Sequence, residues 1–367
     1  MARALSVRAG LAFAGKARAL SKPCCSAGIK FAARVKAQQY NYAKNLGRSL
    51  FACQNDLTTM TTHVSASKTR VIFWGVRGSI PTPGPGTVRY GGNTSCVEVR
   101  AEGEIIVLDA GSGIRLLGQS LQREFGSDPI RLAILISHTH WDHIQGLPFF
   151  LPAYSGKNRL RVFGYDGTRT RLGEILAGQM ETPFFPVTMA ELPGKIQIEE
   201  LKDNDFEIGK LLVRSKFLNH PGVCAGYRIQ TPAGSVVYMP DNEPFEQLDV
   251  QLRNRGVENT ARKFKSPAEE RADLIEFLRG ADLLILDAQY TDEEYQRHIG
   301  WGHGSISSVV SLAADADAKR LVLFHHDPNH DDEMVDKIVD KARIQIAQLG
   351  KSIAVEGARE GSELILS

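Results

Sequence analysis

From residue 69 onward, the chain alternates short apolar runs with amphipathic stretches. This pattern is typical of folds that layer strands and helices. In its first half, helical patterns occur at residues 116–125 and 169–180, with a shorter one at 146–154. Residues 184–187 are expected to form a loop over the functional site. The apolar runs that predict strands lie at residues 71–76, 95–99, 104–108, 132–136 and 159–163.

The second half begins with strand signals and closes with a long helical pattern. Ser266, Pro267 and Glu269 form the cap signature of a helix that Gly280 ends. Apolar side chains recur every four positions within residues 333–349, which predicts an amphipathic helix. The predicted strands are residues 210–218, 226–230, 235–239, 283–286 and 321–324.

These elements form one predicted domain, residues 69–367, because neither an internal repeat nor a low-complexity linker interrupts them. We expect an α/β fold in which two β layers are flanked by helices. The chain has 367 residues, 43% of them hydrophobic, which is enough apolar material for a large core.

Charge is distributed unevenly, although the net charge is only +2. Residues 1–60 hold ten Lys or Arg and one acid, Asp56, a net charge of +9, so the remainder carries −7. This acidic body argues against a broad nucleic-acid footprint. We interpret residues 1–68 as a basic extension, disordered or a lone helix. It is either a mitochondrial or plastid transit peptide or sequence upstream of a start at Met60, in which case a cytoplasmic location is expected.

Cysteine usage and hydropathy bear on the cellular environment. Of the five cysteines, only Cys96 and Cys224 lie in the predicted domain, so a reducing compartment fits better than a disulfide framework. No apolar run reaches the ~18 residues that a membrane span needs, so no membrane partner is expected.

The candidate metal ligands are concentrated directly after the apolar run at residues 132–136. His138, His140, Asp142 and His143 lie within six positions. Burying unpaired histidine is costly, so such clustering indicates a metal. One tetrahedral zinc ion takes about four ligands, but these four are too close in sequence to surround one ion comfortably. Two ions sharing the cluster are the better interpretation.

A two-metal site needs more ligands, and three further candidates follow predicted strands. His220, Asp241 and His325 each come at the end of an apolar run. Because α/β layers place their chemistry at strand ends, we expect these residues to converge on the cluster. Zinc suits an imidazole-rich set, with Mn²⁺ or Fe²⁺ as alternatives because carboxylates also contribute.

With these motifs in this order, residues 69–367 resemble the metallo-β-lactamase superfamily. Within it they are similar to the phosphodiesterase branch that includes ribonuclease Z and the phosphoribosyl cyclic-phosphate phosphodiesterases. The resemblance implies a four-layer αββα sandwich and a site with two metal ions.

The resemblance also assigns roles to the candidate residues. Asp109 would orient the cluster from behind. His326 leaves the last ligand ambiguous by one position, and His325 is preferred because it follows its strand as the family's terminal histidine does. The implied ligands are His138, His140 and His220 for one ion, Asp142, His143 and His325 for the second, and Asp241 as the bridge.

A second pattern points to phosphate chemistry. Residues 301–305 precede a helical stretch, and a helix N-terminus attracts anions. His303, just outside that helix, can protonate a leaving alkoxide or be a structural cap. In ribonuclease Z-like enzymes a similar segment pairs with an acid after the preceding strand, a position that Asp287 matches. Arg77 and Asn93, in glycine-rich segments, are further candidates for substrate contact.

We therefore predict a hydrolase with two divalent metal ions that cleaves a phosphodiester bond in a small or cyclic nucleotide or phosphate ester. A hydroxide held between the ions would attack, and Asp142 would orient it.

One alternative is a transfer-RNA 3′-end endonuclease, in which residues 165–200 are the only stretch that could grip RNA. The other is a thioester or lactone hydrolase of the glyoxalase II type, which leaves residues 301–305 without a role. The expected partner is a small phosphodiester, with RNA as the alternative; a homodimer would be in keeping with the family.

Overall fold

Two seven-stranded sheets lie at the centre of the computed structural model, which describes residues 68–167, 169–247 and 265–367. The interpretations of residues 1–67 fall outside the described residues. The strands are β1 (Thr69–Gly75), β2 (Cys96–Ala101), β3 (Glu104–Leu108), β4 (Arg131–Leu135), β5 (Arg159–Gly164), β6 (Lys195–Glu200), β7 (Asp205–Ile208), β8 (Leu211–Phe217), β9 (Ala225–Thr231), β10 (Gly234–Met239), β11 (Leu283–Asp287), β12 (Arg320–Phe324), β13 (Ala354–Gly357) and β14 (Glu363–Leu366).

Each sheet has an antiparallel half and a parallel half. The first sheet has the order β14-β1-β2-β3-β4-β5-β6, with parallel pairing from β3 to β6. The second has the order β13-β12-β11-β10-β9-β8-β7, with parallel pairing from β10 to β13. Parallel strands end at a common edge, which is where the candidate residues follow them.

Helices cover the outer faces of the sheets. The Ser266 side chain accepts from the Glu269 amide, so the cap signature read from the sequence is confirmed. No helix of the described ranges is both long and apolar enough to cross a membrane. The helices are α1 (Ile114–Phe125), α2 (Trp141–Ile144), α3 (Leu172–Gly178), α4 (Pro267–Leu278), α5 (Asp292–Tyr295), α6 (Ile306–Asp315) and α7 (Asp332–Gln348).

Three apolar clusters fill the spaces between four layers, which are the two sheets and the helices on their outer faces. Between the sheets, Phe324 of β12 packs against Phe73 of β1, with ring centroids 6.4 Å apart. A second cluster joins the first sheet to α1, and a third joins the second sheet to α4, α6 and α7. The α/β fold with two β layers between helices is therefore confirmed.

The differences from the sequence prediction have local causes. Pro148 and Pro152 begin two short 3₁₀ segments, Leu147–Phe149 and Leu151–Tyr154, where one short α-helix was expected. The helix expected at residues 169–180 is confined to α3. Residues 184–187 form a loop as predicted, and Phe185 of this loop packs edge-on against Phe149. The expected position of the loop over the functional site stays a prediction.

Candidate metal centre

The segment after β4 carries four of the predicted ligands into one place. His140 has extended backbone angles and forms the N-cap of α2, so the chain turns sharply after it. That turn buries Asp142 and His143 while Trp141 stays 79% exposed. His138 is buried, whereas His140 remains exposed, so the cluster opens to solvent on the His140 side.

All seven predicted ligands converge on this cluster. In the first group, one ligand atom from each of His138, His140, His220 and Asp241 lies within 4.8 Å of the others. A second group of the same tightness consists of Asp142, His143 and His325. Asp241 lies between the groups, because its Oδ1 is 3.2 Å from His143 Nε2 and its Oδ2 is 3.7 Å from His220 Nε2.

Buried polar atoms that make no hydrogen bond indicate that this cluster is built for cations. His138 Nε2, His143 Nε2 and Asp241 Oδ1 are all buried without a hydrogen-bond partner. Leaving three such atoms unsatisfied is costly, and a metal ion would satisfy them together. The donor set of imidazole nitrogens and carboxylate oxygens therefore fits divalent metal ions.

The electrostatics of the cluster favour neutral rings at His138 and His220 and an ionised carboxyl at Asp241, which are the protonation states of metal ligands. Burial is the main reason that the pKa of His138 is held well below its usual range and that of His220 falls to about 4. The surrounding histidines outweigh burial at Asp241 and hold the pKa of its carboxyl well below the usual range. At His143, burial opposes protonation, but the carboxylates of Asp142, Asp241 and Asp109 raise its pKa. Positive charge is thus stabilised where those carboxylates meet.

Asp109 fixes His143 from behind. Its carboxylate accepts from the Ser137 amide at 2.7 Å, the Ser137 hydroxyl at 2.8 Å and the Tyr238 hydroxyl at 2.7 Å. His143 Nδ1 lies 2.7 Å from the same carboxylate. Because a carboxylate only accepts, Nδ1 carries the proton and Nε2 faces the cluster. Asp109 therefore lies behind the cluster, and its orienting role toward bound metal stays a prediction.

Two other ligands are oriented by groups that the sequence analysis missed. Gln289 Oε1 lies 3.0 Å from His325 Nδ1, and the Ser79 amide donates to Asp142 Oδ2 at 2.7 Å. Gly78 lies so close to His325 that a Cβ at position 78 would collide with its ring. The only sequence signal for Gln289 is its position two residues after Asp287.

Backbone strain is concentrated at the same place. Asp109, His325 and Ser79 have φ values of 61°, 59° and 62°, in the left-handed region that non-glycine residues rarely occupy. Such strain persists only where the surrounding structure holds it, and it is frequent at functional sites.

His220 is held by the segment that carries His303. His220 Nδ1 lies 3.0 Å from the Gly302 carbonyl, which can only accept, so its Nε2 faces the cluster. Gly302 has a φ of 92°, and a side chain there would collide with the His220 ring. Glu243, which the sequence analysis also missed, accepts from the Gly302 amide at 2.9 Å and the Gly300 amide at 2.7 Å.

His303 and Asp287 form the pair that the sequence predicted. His303 Nδ1 is 3.1 Å from Asp287 Oδ2, which also accepts from the Gly304 amide at 3.1 Å. Burial disfavours the protonated ring, but the carboxylates of Asp287, Asp241 and Asp142 prevail and raise the pKa of His303 to about 9. The His303 ring stacks on His325 with centroids 5.0 Å apart, so the pair adjoins the second ligand group.

Several other candidates lie elsewhere. His326 points away from the cluster and donates from Nε2 to the Ala358 carbonyl at 2.9 Å, which leaves His325 as the histidine at the cluster. Arg77 is fully buried and binds the carbonyls of Gly91, Asp327 and His330. Its expected role in substrate contact is wrong, because its charge holds loops together.

Asn93 is also engaged structurally. Its amide and its side-chain Nδ2 both donate to the carboxylate of Glu360, at 2.5 and 2.9 Å. Its side-chain oxygen accepts from the Ser112 hydroxyl at 3.0 Å. These bonds fix the turn that follows residues 89–92, so the structure gives Asn93 the role of a turn residue and not of a substrate contact.

The comparison with known proteins agrees with this geometry. Residues 105–258 match the beta-lactamase superfamily domain. The chain has the metallo-β-lactamase fold. A ribonuclease Z of Thermoplasma acidophilum is 26% identical over 315 residues, which are 78% of this chain and 95% of the relative.

Solved structures show the same fold. The metallo-β-lactamase fold protein YhfI from Bacillus subtilis aligns with a TM-score of 0.54 at 18% identity, over 82% of this chain and 99% of that protein. The short form of human tRNase Z aligns with a TM-score of 0.52 at 19% identity, over 81% of this chain and 99% of that protein. The two clustered ligand groups are therefore a candidate site for divalent metal ions.

Proposed function

We propose that this protein of the metallo-β-lactamase fold is a hydrolase with two divalent metal ions, most simply zinc, that cleaves a phosphodiester bond in a small or cyclic nucleotide or phosphate ester. The observation that carries the proposal is the His303–Asp287 pair beside the two ligand groups. Ester hydrolysis needs a proton for the departing oxygen, and this pair places a proton donor next to the metal centre.

The bound metal pair would supply an activated water and positive charge against the phosphate oxygens. The chain's own residues do the rest. Asp287 accepts from His303 Nδ1, so the ring's other nitrogen, Nε2, is the atom that can give a proton to the leaving oxygen. α6 begins three residues later, at Ile306. The amides of its first turn are already engaged, since Ile306 donates to the Tyr290 carbonyl, Ser307 to Asp292 and Ser308 to the Ser305 hydroxyl, so the proton donor is His303 and the helix N-terminus adds no free amides.

The described part of residues 165–200 favours a small substrate. It consists of the short helix α3, a 3₁₀ turn at Met189–Glu191 and the edge strand β6, without a basic, glycine-rich tip. The acidic composition of residues 61–367 also favours a small substrate over RNA, because RNA binding rests largely on Lys and Arg contacts to phosphates.

Transfer-RNA 3′-end processing is the second candidate, and the similarity to a ribonuclease Z over 95% of that protein's length favours it. One experiment separates the two. Purified, metal-analysed protein would be assayed on bis-p-nitrophenyl phosphate, a panel of cyclic nucleotides, a precursor transfer RNA and a thioester. Cleavage of small diesters that exceeds cleavage of the RNA supports the proposal. Efficient 3′-end cleavage of the RNA alone selects the second candidate, and thioester cleavage without any diesterase activity refutes both.

A further inference from the structure

Two exposed tryptophans are direct sequence neighbours of residues on the open side of the metal centre, and neither has a role in the proposed chemistry. Trp141 is 79% exposed and directly follows His140, the exposed member of the first ligand group. Trp301 is 61% exposed and directly precedes Gly302, which packs against His220. The rings of His140 and His220 are themselves 4.9 Å apart. Both tryptophans are therefore anchored within one residue of the same open side.

Trp301 is held in place more firmly than an ordinary surface side chain. The carboxylate of Glu243 accepts from the amides on both sides of it, Gly300 at 2.7 Å and Gly302 at 2.9 Å. Glu243 is fully buried and also accepts from the Tyr295 hydroxyl at 2.9 Å. A buried carboxylate with three donors fixes this backbone strongly.

The Trp301 ring is also supported on one side. It meets His298 edge-on at 4.8 Å, and His298 stacks on Tyr290 at 4.4 Å with an interplanar angle of 11°. His298 is itself half-buried, and its Nδ1 lies 2.7 Å from the Glu294 carbonyl. A large exposed aromatic ring on a fixed backbone and a stacked support is preorganised for contact with another planar group.

We propose that Trp301 and Trp141 form an aromatic platform at the entrance of the metal centre, which stacks the nucleobase of a mononucleotide phosphodiester. This inference rests on the proposed phosphodiesterase function and narrows its substrate from phosphate esters in general to those that carry a base. Every nucleobase has a flat face, so stacking gives affinity for the class without selecting one base.

The test uses two substrates that differ only in the base: adenosine 2′,3′-cyclic phosphate and 1-O-methylribose 2′,3′-cyclic phosphate. Wild type would be compared with Trp301→Leu, Trp141→Leu and the conservative Trp301→Phe. Ile344→Ala, which trims another exposed apolar side chain on α7, is the control. Thermal unfolding of each variant checks that it is folded.

We expect each leucine variant to lose about tenfold or more in kcat/KM on the adenosine substrate, in line with the loss of one base stack, and less than about twofold on the methylriboside. Trp301→Phe should recover most of the loss, and the control should match wild type on both. Equal activity of wild type on the two substrates, or equal losses on both in the leucine variants, would overturn the platform.

Tryptophan fluorescence gives a readout that does not depend on hydrolysis. The chain has three tryptophans, and the third, Trp74, is partly buried with its Nε1 donating to Glu98 Oε2 at 2.8 Å. Adenosine 3′-monophosphate should quench the wild type and not the Trp141→Leu/Trp301→Leu double variant. Quenching in the wild type without hydrolysis of any diester would refute the proposed function and leave the platform supported. The same quenching in wild type and double variant would refute the platform.

Discussion

At the scale of single residues, the centre depends on which imidazole nitrogen is free. His143, His220 and His325 each have Nδ1 at an acceptor, namely a carboxylate, a backbone carbonyl and an amide oxygen. Their Nε2 atoms are thereby all directed to one place. The sequence could predict the histidines, but it could not predict these acceptors, because each comes from a distant part of the chain.

Replacing Asp109 by Asn should weaken metal binding more than it weakens the fold. Asn tolerates the positive φ at this position, so the backbone can stay as it is. Four donors face the carboxylate, and the Asn NH₂ group would confront at least one of them. We expect metal affinity to fall about 10- to 100-fold, as measured by competition with a chromophoric chelator.

Tyr238→Phe is the matched control for that variant, because it removes only one of the four donors to Asp109. It should leave His143 oriented and lower the affinity much less. If Asp109→Asn bound metal as tightly as wild type, the orienting role of this carboxylate would be wrong.

Replacing His303 by Ala should lower kcat and leave the metal content unchanged. His303 contacts the ligand groups but is bonded to Asp287, and loss of a general acid reduces rates by about 10²- to 10⁴-fold. The double variant with Asp287→Asn should be hardly slower than His303→Ala, since the two residues act as a unit. Metal analysis and steady-state kinetics check this. Loss of a metal ion in His303→Ala would instead identify His303 as a metal ligand. This alternative has a structural basis, because ligand atoms of His303, Asp241 and His325 also lie within 4.8 Å of one another.

At the scale of elements, the site is assembled where loops after neighbouring strands are tied together. The loop after β8 and the loop after β10 bond to each other, since Asn219 donates from Nδ2 to the Glu243 carbonyl at 3.0 Å and the Glu243 amide donates to the Asn219 carbonyl at 2.9 Å. The Glu243 side chain then extends the connection to residues 300–302. One residue therefore links the loops that carry Asp241, His220 and His303.

Glu243→Gln tests this connection with almost no change in shape. The two carboxylate oxygens face different backbone amides, and a glutamine can accept from only one of them. A buried amide facing an NH₂ group should destabilise the protein by about 1–3 kcal/mol. Hydrogen exchange should be faster at residues 300–303 than in the wild type, and Glu246→Gln, on an exposed neighbour, should change neither quantity. Unchanged exchange at residues 300–303 would contradict the linking role.

The limits of prediction at this scale follow from burial. The central strands could be predicted because they are apolar after an initial arginine, as in β4 and β12. The four strands that sequence analysis missed, β6, β7, β13 and β14, are the outermost strands of the two sheets. Edge strands are half-exposed and carry charges such as those of Lys195–Glu200, which hides their apolar alternation and protects the sheet from pairing with other chains.

At the scale of the whole molecule, the centre spans the two sheets. His138, His140, Asp142 and His143 follow β4 of the first sheet. The other three candidate ligands follow strands of the second sheet, namely β8 for His220, β10 for Asp241 and β12 for His325. Any ion bound by both sets ties the layers together at one edge of the apolar core between the sheets, so metal binding and global stability should be coupled.

Removing the metal should therefore lower the thermal stability of the protein as a whole. Without cations the carboxylates of Asp142 and Asp241 would lie close together in a buried site, and the unsatisfied atoms of His138 and His143 would have no partner. A ligand at about 100 times its Kd adds roughly 2.7 kcal/mol to the free energy of unfolding, or about 5–10 °C in Tm for a domain of this size. Calorimetry of chelator-treated and zinc-restored protein measures the difference.

The His138→Ala/His143→Ala variant, which lacks one ligand from each group, should unfold at a temperature that zinc hardly changes. If chelator-treated and restored wild type unfolded at the same temperature, the ions would not link the sheets, and the ligand set would have to be sought within one layer.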